Sequence, residues 1–523
     1  MKSETDTVDV EAPVGLKPYS LRVDGLIEDN AKARPNDEAL REGGLVLSWS
    51  EFDERVSESA RHFLRAGLKE GDRVAFLVSN SIDAYVTIFG AMRAGAVIAP
   101  ISTMLSADDV ARLVVDAGAR TIVVSEEYES LVEASHSSGS QQSLPPWCRL
   151  GEEAISLGVE AHASYVDGAC SIIYSSGTTG LPKGAVHSHD ARIVAGQNAA
   201  IAFSMHSGSR ALVSTPPYTN GSWMIILPAL ATGACIFLSR GFEVERFLAT
   251  CSEWGPTHAF IVPTQFQLLF DSGLYRPELM ESFSCMITAG APMPPAMKAR
   301  LMAELPDRLY ELWGLTEVAA TVIRPDEMLQ RPDSVGRALP LSEFRLIDES
   351  GSEVAKPGIG EIVARSRYQM ARYWGGGDLN EGIRWESEDG KSFMRTGDIG
   401  EFDELGYLYI RGRVKDMIIS GGLNVFPIDI ENTLRTNDAV TDAAVIGVPD
   451  PKWGEVPVAF VRSELEELDT DGVREWANGR LSKFQRLQKV VHWRSDFPRN
   501  TLGKVLKREL VEVFMASANA EER

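Results

Sequence analysis

Paired cysteines, an excess of positive charge and long apolar runs are all missing from these 523 residues. The five cysteines (Cys148, Cys170, Cys235, Cys251 and Cys285) are odd in number and nowhere form a C-x-x-C pair. That argues against a disulfide framework or a structural zinc site, and for buried thiols in a reducing cytoplasm. Lys and Arg number 52 against 74 Asp and Glu, a net charge of −22. Such a balance disfavours general affinity for nucleic acid or an anionic membrane. The most apolar stretches, Trp223–Leu230 and Ala234–Leu238, are interrupted by Pro228, Thr232 and Gly233, well short of a membrane span. Met1–Glu11 is acidic, without a basic-then-apolar order, and reads as a tail and not a signal peptide. Two catalytic signatures are missing as well. No G-x-S-x-G elbow marks a serine hydrolase, and no G-x-x-x-x-G-K-[ST] marks the common phosphate loop.

What is present is a different phosphate loop. The apolar run ending at Tyr174 passes straight into Ser175, Ser176, Gly177, Thr178, Thr179, Gly180, Leu181, Pro182, Lys183 and Gly184. Glycines let backbone N–H groups approach an oxyanion, and successive turn N–H groups form anion-binding concavities. The hydroxyls add rotatable donors, and Lys183 adds a cation. Pro182 keeps that lysine out of a regular helix. An ordinary Gly/Ser linker would not set a lysine and two threonines among glycines directly after an apolar strand.

Length suggests two or three domains. From about Asp72 to Gly314 strand and helix patterns alternate, for example strand Arg73–Val78, helix Ile82–Ala94, strand Val97–Pro100 and helix Asp108–Asp116 capped by Ser106. Further on, Cys170–Tyr174 reads as a strand, Asp190 as the cap of a helix reaching Ala202, and Cys285–Thr288 and Leu309–Leu312 as strands. This alternation predicts two stacked α/β lobes with parallel sheets. After Arg331, short strands and tight turns predict a small antiparallel β-module, followed by a mixed α+β tail with a hinge near Lys415. Ligands of parallel α/β sheets gather beyond the carboxyl ends of the strands. The segments at 175–184, 215–222, 263–265, 290–292 and 313–317 are therefore expected to share one rim.

Six segments in order carry a resemblance: Tyr174–Gly184, Gly290–Pro292, Leu312–Glu317, Arg395–Asp398, Gly412–Asp416 with Ser420–Pro427, and Pro498–Lys504. Together they resemble the adenylate-forming superfamily of acyl-CoA synthetases, adenylation domains and luciferases, over about 47–510. The resemblance implies an N-terminal AMP-binding domain, 1–414, and a mobile C-terminal domain, 415–523. It implies the reaction of a carboxylic acid with ATP to acyl-AMP and pyrophosphate, with Mg²⁺, and then acyl transfer to a thiol. Ser175, Ser176, Gly177, Thr178, Thr179, Gly180 and Lys183 would hold the β- and γ-phosphates. Glu317 would bind Mg²⁺, and Thr316 the α-phosphate. Gly290, Ala291 and Pro292, with Leu312, Trp313 and Gly314, would form the adenine site; Trp313 stands where most of the family has Tyr. Asp398 would hold the ribose and Arg413 the ribose or phosphates. Lys504 would bridge the attacking carboxylate and the α-phosphate. It lies in a basic island, since 481–508 holds eight Lys or Arg against the single acid Asp496. A solvated helix face is the plainer account of Lys507 and Arg508. Rotation at Lys415 would bring Ser420, Gly421 and Gly422 in to line a pantetheine tunnel.

Departures from the family pattern narrow the substrate. Thr219 replaces the histidine that gates the acyl pocket in many relatives, and Tyr218 or Asn220 could share its role. Residues 216–223 contain no acid, so an amino-acid substrate would lack a counter-charge for its ammonium. The expected acyl wall of Tyr218, Thr219, Asn220, Trp223, Gln265, Ala289, Leu315 and Val318 is mostly apolar and suits an aryl, alicyclic or medium-length acid. No carrier domain follows Lys504, which favours coenzyme A as acceptor; a carrier protein in trans, a free acyl-AMP product or a luciferase-like oxidation are the alternatives. The partners expected are these small molecules only, with the chain a cytoplasmic monomer or homodimer.

Overall fold

A computed structural model describes residues 21–137, 144–158, 168–175, 182–499 and 505–521. The acidic segment 1–11, the loop residues Ser176, Gly177, Thr178, Thr179 and Gly180, and Lys504 lie outside the described residues.

Two α/β sheets stand in the N-terminal part. In one, the parallel strands run in the order Ala169–Ser175, Val97–Pro100, Arg73–Leu77, Ala119–Val124 and Trp147–Arg149. In the other the parallel order is Leu309–Gly314, Cys285–Thr288, His258–Phe260, Arg210–Val213, Cys235–Leu238 and Glu38–Glu42. Strands covered on both faces read as short continuous apolar runs, and Arg73–Leu77 is buried at every position. Side chains from both sheets meet in one core. Helix Asn220–Thr232 is apolar on nearly all sides, as an interior helix must be. Its Trp223 meets Phe89 of helix Ile82–Arg93 edge to face at 6.2 Å.

The antiparallel module pairs Ser342–Ile347, Gly358–Ser366, Ser392–Phe402 and Leu408–Arg413. A one-turn 3₁₀ segment, Val414–Asp416, leads to the last sheet, built on Ile418–Ser420, Asp442–Asp450 and Gly454–Arg462. Alternation along Asp442–Asp450 sends Ala443 and Val445 toward helices Pro427–Arg435 and Thr470–Asn478. It sends Ala444, Ile446 and Val448 toward helix Lys507–Glu521.

The fold class matches the expectation, with three local corrections. The helix expected to start at Asp190 spans His189–Ala202, and Ser188 caps it by accepting from Ala191 N–H; Asp190 sits in the first turn, where the dipole favours a carboxylate. Lys183–Ser188, where no strand was expected, is an antiparallel strand on Ala169–Ser175. The alternation also begins before Asp72. Hairpin Glu38–Glu42/Leu45–Ser48 and helix Trp49–Arg65, held by a Ser48–Glu51 capping box, join the second sheet beside Cys235–Leu238.

Candidate active site

The strand ends do share a rim. One cleft of about 3500 Å³ is lined by Ser175, Lys183, Gly290, Ala291 and Pro292, and by all of Leu312–Val318. Tyr218, Thr219, Asn220, Trp223 and Ala289 line it from the second lobe, and Asp398, Arg413 and Lys415 from the antiparallel module and its exit. At Gly290 the backbone turns with φ +92°, a region in which an L side chain is strained.

Glu317 sits in the turn after strand Leu309–Gly314 and is buried. Its Oε1 accepts from Ser175 Oγ at 2.7 Å and from the Tyr373 phenol at 2.9 Å. Oε2 has no such partner among the described residues. Burial, and then the Glu317 charge, push the Tyr373 phenol well up, so it stays a donor. Lys183 lies over the same ring, 5.5 Å from its centroid, and pairs directly opposite Ser175 in the ladder. Beside them, the Thr316 carbonyl accepts from His187 Nε2 at 2.8 Å. Burial holds the His187 ring neutral, and Nε2 is the nitrogen that must carry its proton.

Asp398 faces Arg413 across an antiparallel pair, and Arg413 Nε reaches Asp398 Oδ1 at 2.5 Å. Trp313 Nε1–H donates to Asp398 Oδ2 at 3.2 Å. A carboxylate so placed is of the type that accepts from both hydroxyls of a vicinal diol. Cations cluster here. Burial depresses the Lys415 ammonium, Asp416 opposes that, and Arg413, Lys183 and Lys507 depress it further. Gathering four cations in a chain of net charge −22 prepares a place for a polyanion.

Three groups of expected site residues behave differently. Gln265 does not line the cleft: its Oε1 accepts from Val262 N–H at 3.0 Å and closes the start of helix Pro263–Asp271. Thr219 turns its hydroxyl to the Pro216 carbonyl at 2.8 Å, inside its own turn. Ser420, Gly421 and Gly422 lie away from the cleft, with Gly421 N–H bonded to the Trp453 carbonyl. The segments flanking Lys504 do face the cleft: Arg499, Val505, Leu506 and Lys507 line it. Part of the basic island is neutralised internally, by Arg499–Asp442 and Lys507–Glu431, each at 2.6 Å. Arg508, 71% exposed and paired to Glu512, is solvated, as are Lys483, Arg486, Lys489 and Arg494.

Sequence reasoning missed Tyr373 and Arg192. Tyr373 belongs to a two-residue edge strand, and no motif marks it. Arg192 was hidden in the helix after the loop, where it is buried on the cleft wall beside Trp223.

Comparisons with known proteins show the family. The family model described as AMP-binding enzyme matches residues 27–374, and that for the AMP-binding enzyme C-terminal domain matches 429–504. A feruloyl-CoA synthase of Amycolatopsis sp is 31% identical over 493 residues, 92% of this chain and 97% of that protein. A long-chain-fatty-acid–CoA ligase, FadD13, of Mycobacterium tuberculosis is 29% identical over 90% of this chain and 94% of its own length. Among solved structures, ATP-bound MatB from Rhodopseudomonas palustris superposes with a TM-score of 0.82 at 27% identity, covering 94% of this chain and 98% of that one. The chain therefore belongs to the AMP-binding, adenylate-forming enzyme family, among its AMP-forming acid–thiol ligases.

Proposed function

We propose that the chain joins a carboxylic acid to coenzyme A by way of an acyl-adenylate. The observation that carries this reading is the meeting of Lys183, Glu317, Asp398 and Arg413 at one cleft, because triphosphate and ribose require cations and a diol acceptor together. In the first step a substrate carboxylate oxygen attacks the α-phosphorus of ATP. The bond to the bridging oxygen breaks, and pyrophosphate leaves with the electron pair. Such a displacement is governed by positioning and charge neutralisation. The loop 175–183 is assigned to the β- and γ-phosphates, Thr316 to the α-phosphate, and Asp398 with Arg413 to the ribose. The adenine site is assigned to Gly290, Ala291, Pro292, Leu312, Trp313 and Gly314. Lys504, on the segment whose flanks line the cleft, is assigned to the charge that develops between carboxylate and phosphate.

The donor set suits Mg²⁺. One oxygen of Glu317 is fixed by two hydroxyls and the other lacks a hydrogen bond among the described residues. Among those residues no cluster of three or more potential ligands forms a closed protein cage. Mg²⁺ ordinarily takes one or two carboxylates and fills its sphere with phosphate oxygens and water. When bound, it would neutralise phosphate charge.

For the second half-reaction, the division at 414/415 supplies the motion. Val414–Asp416 is a single turn between two sheets with separate cores. Rotation there would withdraw Lys504 and bring Ser420, Gly421 and Gly422 to the thiol's path. The CoA ligases among the relatives favour coenzyme A as acceptor. The acyl wall supplied by Tyr218, Asn220, Trp223, Ala289, Leu315 and Val318 supports an aryl, alicyclic or medium-length acid. The test is exchange of labelled pyrophosphate into ATP over an acid panel, followed by thioester formation on adding coenzyme A. Absence of exchange with every acid would overturn the reading.

A further inference from the structure

A cation on the cleft wall is left without a counter-charge among the described residues. Arg192 is 5% exposed. Its Nη1 donates to Asn220 Oδ1 at 2.8 Å, its Nε to Ser171 Oγ at 3.4 Å, and its guanidinium lies 5.8 Å from the Trp223 ring centroid. Its Nη2 has no hydrogen-bond partner among the described residues. No carboxylate pairs with it among the described residues. The one group that acts to raise its pKa is the Cys170 thiol, which burial pushes up to about 11 and so keeps neutral. Burial draws the guanidinium itself down only to about 10, so it is charged at neutral pH.

Arg73, also buried, and the partly buried Arg120 are compensated. Arg120 reaches Asp72 at 2.6 Å, and Arg73 donates to the carbonyls of Gly71, Ala117 and Gly118. A buried charge with an idle donor is costly unless a ligand completes it. Asn220, at the start of helix Asn220–Thr232, fixes one arm of the fork on the wall assigned to the acyl group. A keto or hydroxyl oxygen would occupy Nη2 but leave the charge unbalanced; a carboxylate answers both.

We propose that Arg192 is a specificity-determining residue and that the preferred substrate is a dicarboxylic acid, one carboxylate being activated while the other pairs with Arg192. The proposal rests on the acid-activating reading above and names its substrate class.

The experiment is pyrophosphate exchange with straight-chain α,ω-dicarboxylic acids of four to ten carbons and monocarboxylic acids of matched length. Wild type, Arg192→Met and Arg192→Lys are compared. At least one diacid should exceed its matched monoacid by tenfold or more in kcat/KM. Arg192→Met should collapse that ratio toward or below one, and Arg192→Lys should restore part of it. Equal or better use of monoacids by wild type, or a ratio unmoved by Arg192→Met, would overturn the proposal. If Arg192→Met does not fold, the wild-type ratio and Arg192→Lys decide. Calorimetric titration of the same diacids without ATP separates the two readings. Binding that Arg192→Met or Arg192→Lys weakens, with no exchange by any acid, would keep the diacid site and reject the ligase chemistry. Neither binding nor exchange would reject both.

Discussion

Tyr373 donates its phenolic hydrogen to Glu317 Oε1 at 2.9 Å, on the same oxygen that Ser175 reaches at 2.7 Å. The two donors come from opposite sides: Ser175 ends the strand that enters the phosphate loop, and Tyr373 lies on the edge strand Arg372–Tyr373. Between them they fix the rotamer of a buried carboxylate, whose second oxygen has no hydrogen bond among the described residues and is the one proposed to meet Mg²⁺. Tyr373→Phe keeps the ring and removes the donor. A hydrogen bond to a charged group contributes about 1.5–3 kcal/mol, so the Mg²⁺ concentration for half-maximal pyrophosphate exchange should rise about tenfold or more. A loss of kcat at saturating Mg²⁺ with no change in that concentration would refute the positioning role.

Lys504→Ala tests the division of labour between the half-reactions. One preorganised charge donor supplies about 10²-fold or more in rate, and adenylation should fall by at least that factor. Thioester formation from supplied acyl-AMP should survive better. Equal loss of both half-reactions would remove Lys504 from its assigned place.

Lys415 occupies the turn between two separately packed sheets, where a change of one φ angle re-aims everything beyond it. Proline fixes φ near −65°. Lys415→Pro should therefore slow thioester formation more than adenylation, measured as separate single-turnover rates. A variant with normal thioester formation would place the hinge elsewhere.

The parts of the site that were legible in the sequence are those in which backbone and side chains act within a few consecutive residues. The Gly290 turn and the Leu312–Glu317 segment are marked locally, and the α/β alternation places them together with Ser175 and Lys183, the described ends of the glycine-rich loop. What was not legible depends on partners far along the chain. The hairpin at Glu38–Ser48 finds its neighbour near Ile236, and Tyr373 meets Glu317 only because Arg372–Tyr373 pairs with Val186 and Ala185. Gln265 was misplaced for a related reason. Its position after an apolar strand suggests a pocket wall, but a glutamine three residues into a helix competes for the cap, and the cap won. Arg192 carries no local signal; its isolation from any carboxylate among the described residues exists only in three dimensions.

His189 offers a measurement independent of activity. It is 8% exposed, its Nδ1 accepts from Val23 N–H at 3.0 Å, and burial, followed by the Arg22 charge, lowers its pKa to about 4. In the unfolded chain the ring titrates near 6.5. Between these values the unfolded state binds a proton that the native state refuses. Stability from this group is thus complete above about pH 6.5, falls as pH drops toward 4, and falls no further below it. One proton corresponds to a slope of about 1.4 kcal/mol per pH unit. Gln in place of His189 can still accept from Val23 but does not titrate. Urea unfolding at pH 7, 6 and 5 should show a shallower loss of stability for His189→Gln than for wild type, by up to that one-proton slope. His187 and His258, whose pKa values burial also lowers, would supply the slope that remains. Identical slopes for the two proteins would mean that His189 is protonated in the native state.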